Sequence, residues 1–312
     1  MGTDIKPSLA LDGSYDIIEL DIDDSDAALE SLGTKRKFWF IYNKKRYLFK
    51  EGRENTGENW AEVIVADISE YLNIPHAPYY LGKVKDRHGV ITPTIVPETG
   101  MLIPGNEILA KIDNRYDGSL KYKARLHKVS TVLAALKSFG FDEEHFNTKI
   151  SSGAEMFVGY LMLDALVGNT DRHHENWAII SHEDREYLAP SYDHASSLGR
   201  ELMDEKKHVR LTTKDKNQSI EVYAAKAPSA LYETESSKKT LTTFEAFKEA
   251  QRKLPHAAEY WLNRLNDLDT EMINAIVART PNSVMSENAF LFTKKLLAFN
   301  RDRLLKCMVG DK

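Results

Sequence analysis

The chain has 312 residues, 42% hydrophobic and 29% charged, the balance of a folded globular protein long enough for two lobes or domains. A net charge of −5 argues against a basic nucleic-acid footprint, so no direct nucleic-acid binding is expected. The single cysteine, Cys307, excludes an internal disulfide, and no apolar stretch approaches the eighteen residues of a membrane span.

Residues 1–12 hold no apolar run of signal-peptide length, so a cytoplasmic protein is expected, with export as an effector by another signal left open. Residues 1–104 read as strand-rich and residues 105–312 as helical. Ser31-Leu32-Gly33-Thr34-Lys35-Arg36-Lys37 comes first, a glycine among hydroxyls and cations whose backbone N–H groups can wrap a triphosphate. It is neither G-x-G-x-x-G nor a P-loop, and an exposed basic turn is the commoner explanation. Residues 38–42 and 47–50 are aromatic strands around the hairpin signal 43–46, and residues 79–84 and 90–96 repeat the pattern around 86–89. Pro93 predicts an edge or bulged position for the last of these. Between the hairpins, Asn55-Thr56-Gly57 can start a helix whose apolar face is Ala61, Ile64, Val65, Ile68 and Leu72, with Pro75 as its stop. Further helices are predicted near 121–138, 154–167, 242–250, 257–265, 269–278 and 286–306, the last with Ser286 as N-cap. The polar stretch 206–219 has no period and predicts a mobile loop.

Chemistry concentrates at Gly168-Asn169-Thr170-Asp171-Arg172-His173-His174-Glu175-Asn176-Trp177, followed by Tyr192-Asp193-His194. The preceding helix carries Phe157, Tyr160, Leu161, Asp164 and Ala165 at helical spacing toward Gly168, which can end it. Residues 177–180 and 187–189 read as a hairpin around a turn at 181–186, which brings Asp193 back beside Asn176. An aspartate that aims a hydroxyl, together with an amide and a second aspartate that hold magnesium, is what phosphoryl transfer from ATP requires. The spacing of Asp171 and Asn176 equals that of a protein-kinase catalytic loop. Either acid alone would more often be a turn-capping residue; the joint pattern favours function. Lys50 at a strand end can face phosphates, with Glu62 on the following helix positioning it. His173, His174 and His194 with the two aspartates invite a metal-dependent hydrolase reading, but adjacent histidines diverge, and one of them more readily braces the loop.

The string N-x-D-R-H-x-x-N-W with Tyr192-Asp193 resembles the HipA-like serine/threonine kinases, in their compact form, over about residues 30–307. The resemblance implies an α+β, two-lobed kinase-like fold and an ATP- and Mg²⁺-dependent transfer to a protein hydroxyl. It implies Asp171 as the hydroxyl-orienting base, Asn176 and Asp193 as magnesium ligands and Lys50 as the nucleotide-phosphate lysine, supported by Glu62. Gly33 and Thr34 fall where such kinases carry a phosphate loop subject to autophosphorylation, with Ser31 as a second hydroxyl. A protein substrate is implied, as is an antitoxin or regulatory partner, since the family is known from toxin–antitoxin modules. A small-molecule or lipid acceptor, and a nucleotide-binding module without catalysis, are the rival readings.

Overall fold

The computed structural model describes residues 5, 9–10, 12–22, 28–29, 36–141 and 149–308, so the expected phosphate loop with Ser31, Gly33 and Thr34 lies outside the described residues. The fold is two-lobed. The small lobe is built on one sheet of β1 (Ile18–Leu20), β2 (Ala28–Leu29), β3 (Lys37–Tyr42), β4 (Lys45–Glu51), β5 (Tyr80–Val84) and β6 (Arg87–Pro93), ordered β1-β5-β6-β4-β3-β2. Alternation along β3 and β4 sends Phe38, Phe40, Tyr47 and Phe49 to one buried face, where the opposed pairs Phe38–Phe49 and Phe40–Tyr47 have ring centroids 5.3 and 5.7 Å apart. The β3–β4 turn is tighter than the sequence suggests, only Asn43 and Lys44, both at positive φ. The expectation for Pro93 is corrected: β6 lies between β5 and β4. The proline is its last residue, opposite Tyr47, where its missing N–H interrupts no interior rung.

Helix α1 (Glu58–Leu72) is buried on two sides. Val63 and Ala66 pack with Tyr79, Leu81 and Val90 of the small lobe, whereas Trp60, Ile64, Ile68 and Leu72 join the core of the large lobe. It ends at Asn73 in the left-handed conformation, ahead of Pro75. The Tyr71 hydroxyl donates to Asp267 O at 2.9 Å, and Arg279 meets Asp67 at 2.7 Å, so the helix is also tied from outside to the large lobe.

The chain changes sheets after Pro93. β7 (Met101–Pro104) pairs with the second sheet and leads into α2 (Gly105–Ile112), which the sequence pattern did not signal, then α3 (Val129–Leu136), β8 (Gly140–Phe141), α4 (Gly153–Val167), β9 (Ala178–His182) and β10 (Arg185–Leu188), in the order β7-β9-β10-β8. Then follow α5 (Asp204–Thr212), α6 (Ile220–Ala225), α7 (Thr243–Lys253), α8 (Pro255–Asp267), α9 (Thr270–Ala278) and α10 (Glu287–Leu305). Helix α4 is the axis: nearly every residue is buried, and α3, α7, α8 and α10 pack around it. Two expectations are corrected. The helix predicted at 121–138 spans only Val129–Leu136, because Lys121, Tyr122 and Lys123 present no apolar face and fold over a neighbouring loop instead. Where a mobile loop was expected at 206–219, α5 and a short 3₁₀ turn (Lys216–Gln218) form. The inward positions of α5 are Lys207 and Leu211, four apart; a lysine at a buried position hides the period. Its ammonium is satisfied by the Leu202 carbonyl.

Gly159 lies in the middle of α4, where alanine would favour the helix by about 1 kcal/mol. A Cβ there would sit 2.5 Å from Cε2 of the fully buried Trp261, whose indole N–H is fixed on Glu155 O at 2.9 Å. Overpacking of about 1–3 kcal/mol outweighs the propensity gain. Gly159→Ala is therefore expected to lower the free energy of unfolding by about 1–2 kcal/mol in urea titration; a more stable variant would contradict this packing.

Candidate active site

The site begins where α4 stops. Ser152 caps the N-terminus of that helix and Gly168, at φ 66°, turns the chain out of it. Asp164, in its last turn, then organises the loop 169–177. Its Oδ1 accepts from Asn169 Nδ2 at 2.8 Å, and both its oxygens accept from the Arg172 guanidinium at 2.7 and 2.8 Å. Arg172 also donates to Asn176 O at 2.9 Å, and its side chain is 1% exposed. Asn169 Oδ1 accepts from Asp171 N at 3.1 Å, and Asn176 Nδ2 donates to Asp171 O at 2.6 Å. The main chain at Asp171 is thus held on both sides while its carboxylate stays partly exposed. Burial, then the negative charge of Asp193, raise Asp171 above its ordinary value.

The histidines are structural. His173 Nδ1 accepts from Glu175 N at 3.1 Å, and His174 Nδ1 meets the Tyr116 hydroxyl at 2.5 Å. Trp177 Nε1 donates to His127 Nε2 at 3.2 Å, which leaves His127 Nδ1 to donate to Ala230 O at 3.0 Å. Burial pushes His173 and His127 down to about 3 and holds His194 well below its ordinary value, so all three are neutral near pH 7. Among the described residues no three of His, Cys, Asp and Glu converge as metal ligands, which removes the ground for the hydrolase reading.

The second half arrives through the β9–β10 hairpin, whose two-residue turn has Glu183 at positive φ. Ser191 N donates to Pro75 O and Ala77 N to Ser191 O, both at 2.8 Å, so the returning chain is stitched to the segment after α1. The Tyr192 hydroxyl donates to Glu175 O at 2.8 Å, bringing Asp193 and Asn176 into the same neighbourhood. Asp193 itself adopts φ 58°, with its N–H on the Tyr79 hydroxyl at 3.1 Å. The next N–H, of His194, goes to Glu62 Oε2 at 2.7 Å.

The two halves meet at one ammonium. Lys50 Nζ donates to Glu62 Oε1 at 2.8 Å and to Asp193 Oδ1 at 2.7 Å. Burial works against this charge, but Asp193 and Glu62 outweigh it and hold Lys50 well above its ordinary value. The structure therefore brings together Lys50, Glu62 and Asp193, with Asp171 and Asn176 on the adjoining loop. Asn176 spends an amide hydrogen on the loop, which leaves its Oδ1 as an oxygen ligand available to a cation together with the carboxylate of Asp193. Two hard oxygens of this kind fit Mg²⁺, which takes its remaining ligands from phosphates and water. Sequence reasoning named neither Tyr79 nor Tyr122 and left Asp164 without a role. A carboxylate within an apolar helical face was the available signal for the last, since such a group needs a cation.

A model of the HipA-like C-terminal domain family matches residues 109–279. Among solved structures, the chain is similar to the Helicobacter pylori proinflammatory kinase CtkA, with TM-score 0.70 and 19% identity over 94% of this chain and 98% of that one. It is also similar to HipA of Shewanella oneidensis MR-1, solved with HipB and its operator DNA, with TM-score 0.57 and 11% identity over 91% of this chain and 68% of that one. Identities this low establish a shared fold and leave activity to be argued from the site. No curated protein matches the sequence.

The Asp164–Arg172 pair gives the most direct test of the loop. Replacing Asp164 by asparagine leaves a buried guanidinium without its counter-charge, which costs about 3–5 kcal/mol. Urea titration of Asp164→Asn should show a loss of that order; a change under about 1 kcal/mol would mean the pair does not hold the loop.

Proposed function

We infer that this chain, which belongs to the HipA-like C-terminal domain family, is an ATP- and Mg²⁺-dependent serine/threonine kinase that transfers the γ-phosphate to a protein hydroxyl. The observation that carries this reading is the single ammonium of Lys50 bridging Glu62 and Asp193 beside the fixed carboxylate of Asp171. The functional division sets Lys50 and Glu62 in a lobe of residues 1–104 against Asp171, Asn176 and Asp193 in residues 105–312.

Lys50 faces the α- and β-phosphates, and Glu62 keeps it extended toward them. Asn176 and Asp193 would hold Mg²⁺, which would supply positive charge against that building up on the phosphate oxygens. The adenine would lie near the connection at residues 95–101. Asp171 accepts the hydrogen bond of the acceptor hydroxyl and takes its proton as the new O–P bond forms and the bond to ADP breaks. Its raised affinity for protons suits that role better than a solvated aspartate would. Ser31 and Thr34 belong to the same reading as autophosphorylation sites, where a phosphate would meet Lys35, Arg36 and Lys37. So do a cytoplasmic location and an antitoxin-like regulatory partner, as HipB is for the Shewanella protein. Among the described residues no helix is long and apolar enough to cross a membrane.

Asp171→Ala should lower transfer of labelled phosphate by about 10²–10⁴-fold while the thermal shift given by Mg²⁺-ATP persists. Undiminished transfer would sink the assignment. The wild-type rate should fall with decreasing pH through a limb above 3.8, the ordinary aspartate value, because Asp171 must be ionised to accept the proton and burial raises its pKa. Lys50 stays charged throughout the neutral range, so no matching loss should appear on the mildly alkaline side. A limb at or below 3.8 would remove Asp171 as the base.

A further inference from the structure

The loop between α2 and α3 lays Lys121, Tyr122 and Lys123 against the catalytic loop. Tyr122 is 58% exposed, yet its hydroxyl donates to Asp171 Oδ1 at 3.2 Å. An acceptor hydroxyl has to make that same contact, so Tyr122 marks where the acceptor sits. Its ring stands edge-on to His173 with centroids 5.8 Å apart, and rotating this exposed side chain clears the position without moving the backbone that carries the lysines.

Beside Tyr122 opens a cavity of about 200 Å³, walled by Lys121 and Lys123, by Thr170 of the catalytic loop and by Ser229 and Thr240. Among the described residues no carboxylate lines it. Thr170 donates to Ser196 O and Ser229 to Leu241 O, and both ring nitrogens of His127, also in the wall, are engaged. The charged donors the cavity offers are therefore the two ammonium groups. Lys121 lies 3.7 Å from Glu175, while Lys123 has no ion pair among the described residues. Lys121 is also close enough to Asp171 to act on its carboxylate, against the larger opposing effect of Asp193.

We propose that this cavity receives the residue next to the acceptor hydroxyl and selects a carboxylate there, so that the substrate is a protein segment whose serine or threonine is flanked by aspartate or glutamate. The proposal rests on the kinase reading and gives it a substrate class. A lysine or arginine neighbour meets like charge, and a neutral one leaves Lys123 without a counter-charge while Lys121 keeps Glu175.

The test uses the full chain with Mg²⁺-ATP and single-serine peptides that differ only in the flanking residues, Asp/Glu, Asn/Gln or Lys. Phosphate incorporation gives kcat/KM, and fluorescence anisotropy with Mg²⁺-ADP gives Kd independently of turnover. Acidic peptides should lead neutral ones about tenfold in both, with the lead shrinking as salt rises. The variant Lys121→Glu/Lys123→Glu should reverse the order in favour of the Lys peptides and keep the thermal shift given by Mg²⁺-ATP. Lys123→Glu alone, at an exposed position, carries the test if the double variant fails to fold. Acidic and neutral peptides bound within twofold of each other by the wild type, or an acidic preference that survives charge reversal, would overturn the proposal. Acid-selective, reversible binding with no phosphate reaching any peptide would uphold the subsite and defeat the kinase reading instead.

Discussion

Everything in this molecule that bears on the site converges on keeping one ammonium group charged in a largely buried place. Lys50 comes from the sheet of the small lobe, Glu62 from α1 and Asp193 from the large lobe; removing Lys50 would leave two carboxylates facing each other between the lobes, and removing either acid would take one hydrogen-bond partner from the ammonium. Glu62 is a double anchor, since its second oxygen takes the His194 N–H. The carboxylate that sets the lysine therefore also sets the chain one residue beyond Asp193. A left-handed backbone at Asp193 is the local cost of this arrangement, and the Tyr79 hydroxyl helps hold it there.

The second fixed point is the buried guanidinium of Arg172. It does no chemistry itself. By joining the end of α4 to the far end of the catalytic loop it transfers the rigidity of a fully buried helix to residues that remain near solvent. The neutral histidines play the same part by hydrogen bonds alone. Burial suppresses their protonation, so the loop carries no cationic charge of its own beyond the paired arginine.

Much of this was legible in the sequence where a pattern and its packing partner are the same thing. Helix α4, the glycine that ends it, the β9–β10 hairpin and the lysine–glutamate pair across β4 and α1 all follow from periodicity and residue chemistry. The sequence misled where a polar residue occupies a buried position or a tertiary neighbour decides. Lys207 conceals α5, and Pro93, a signal for an edge or bulged strand, only ends a central one. Tyr122 carries no local signal at all, because its significance lies in an aspartate 49 positions away. The fold of the HipA-like family thus emerged from local pattern, whereas the surroundings of its aspartates did not.

The two-sided burial of α1 has a mechanical consequence. A helix packed against its own sheet on one side and the core of the other lobe on the opposite side, and tied by Tyr71 and Asp67 to residues near α8 and α9, behaves as a strut. Rolling it would break two cores at once. Glu62 therefore sits on an element fixed to both lobes, and Lys50 takes its position from that element.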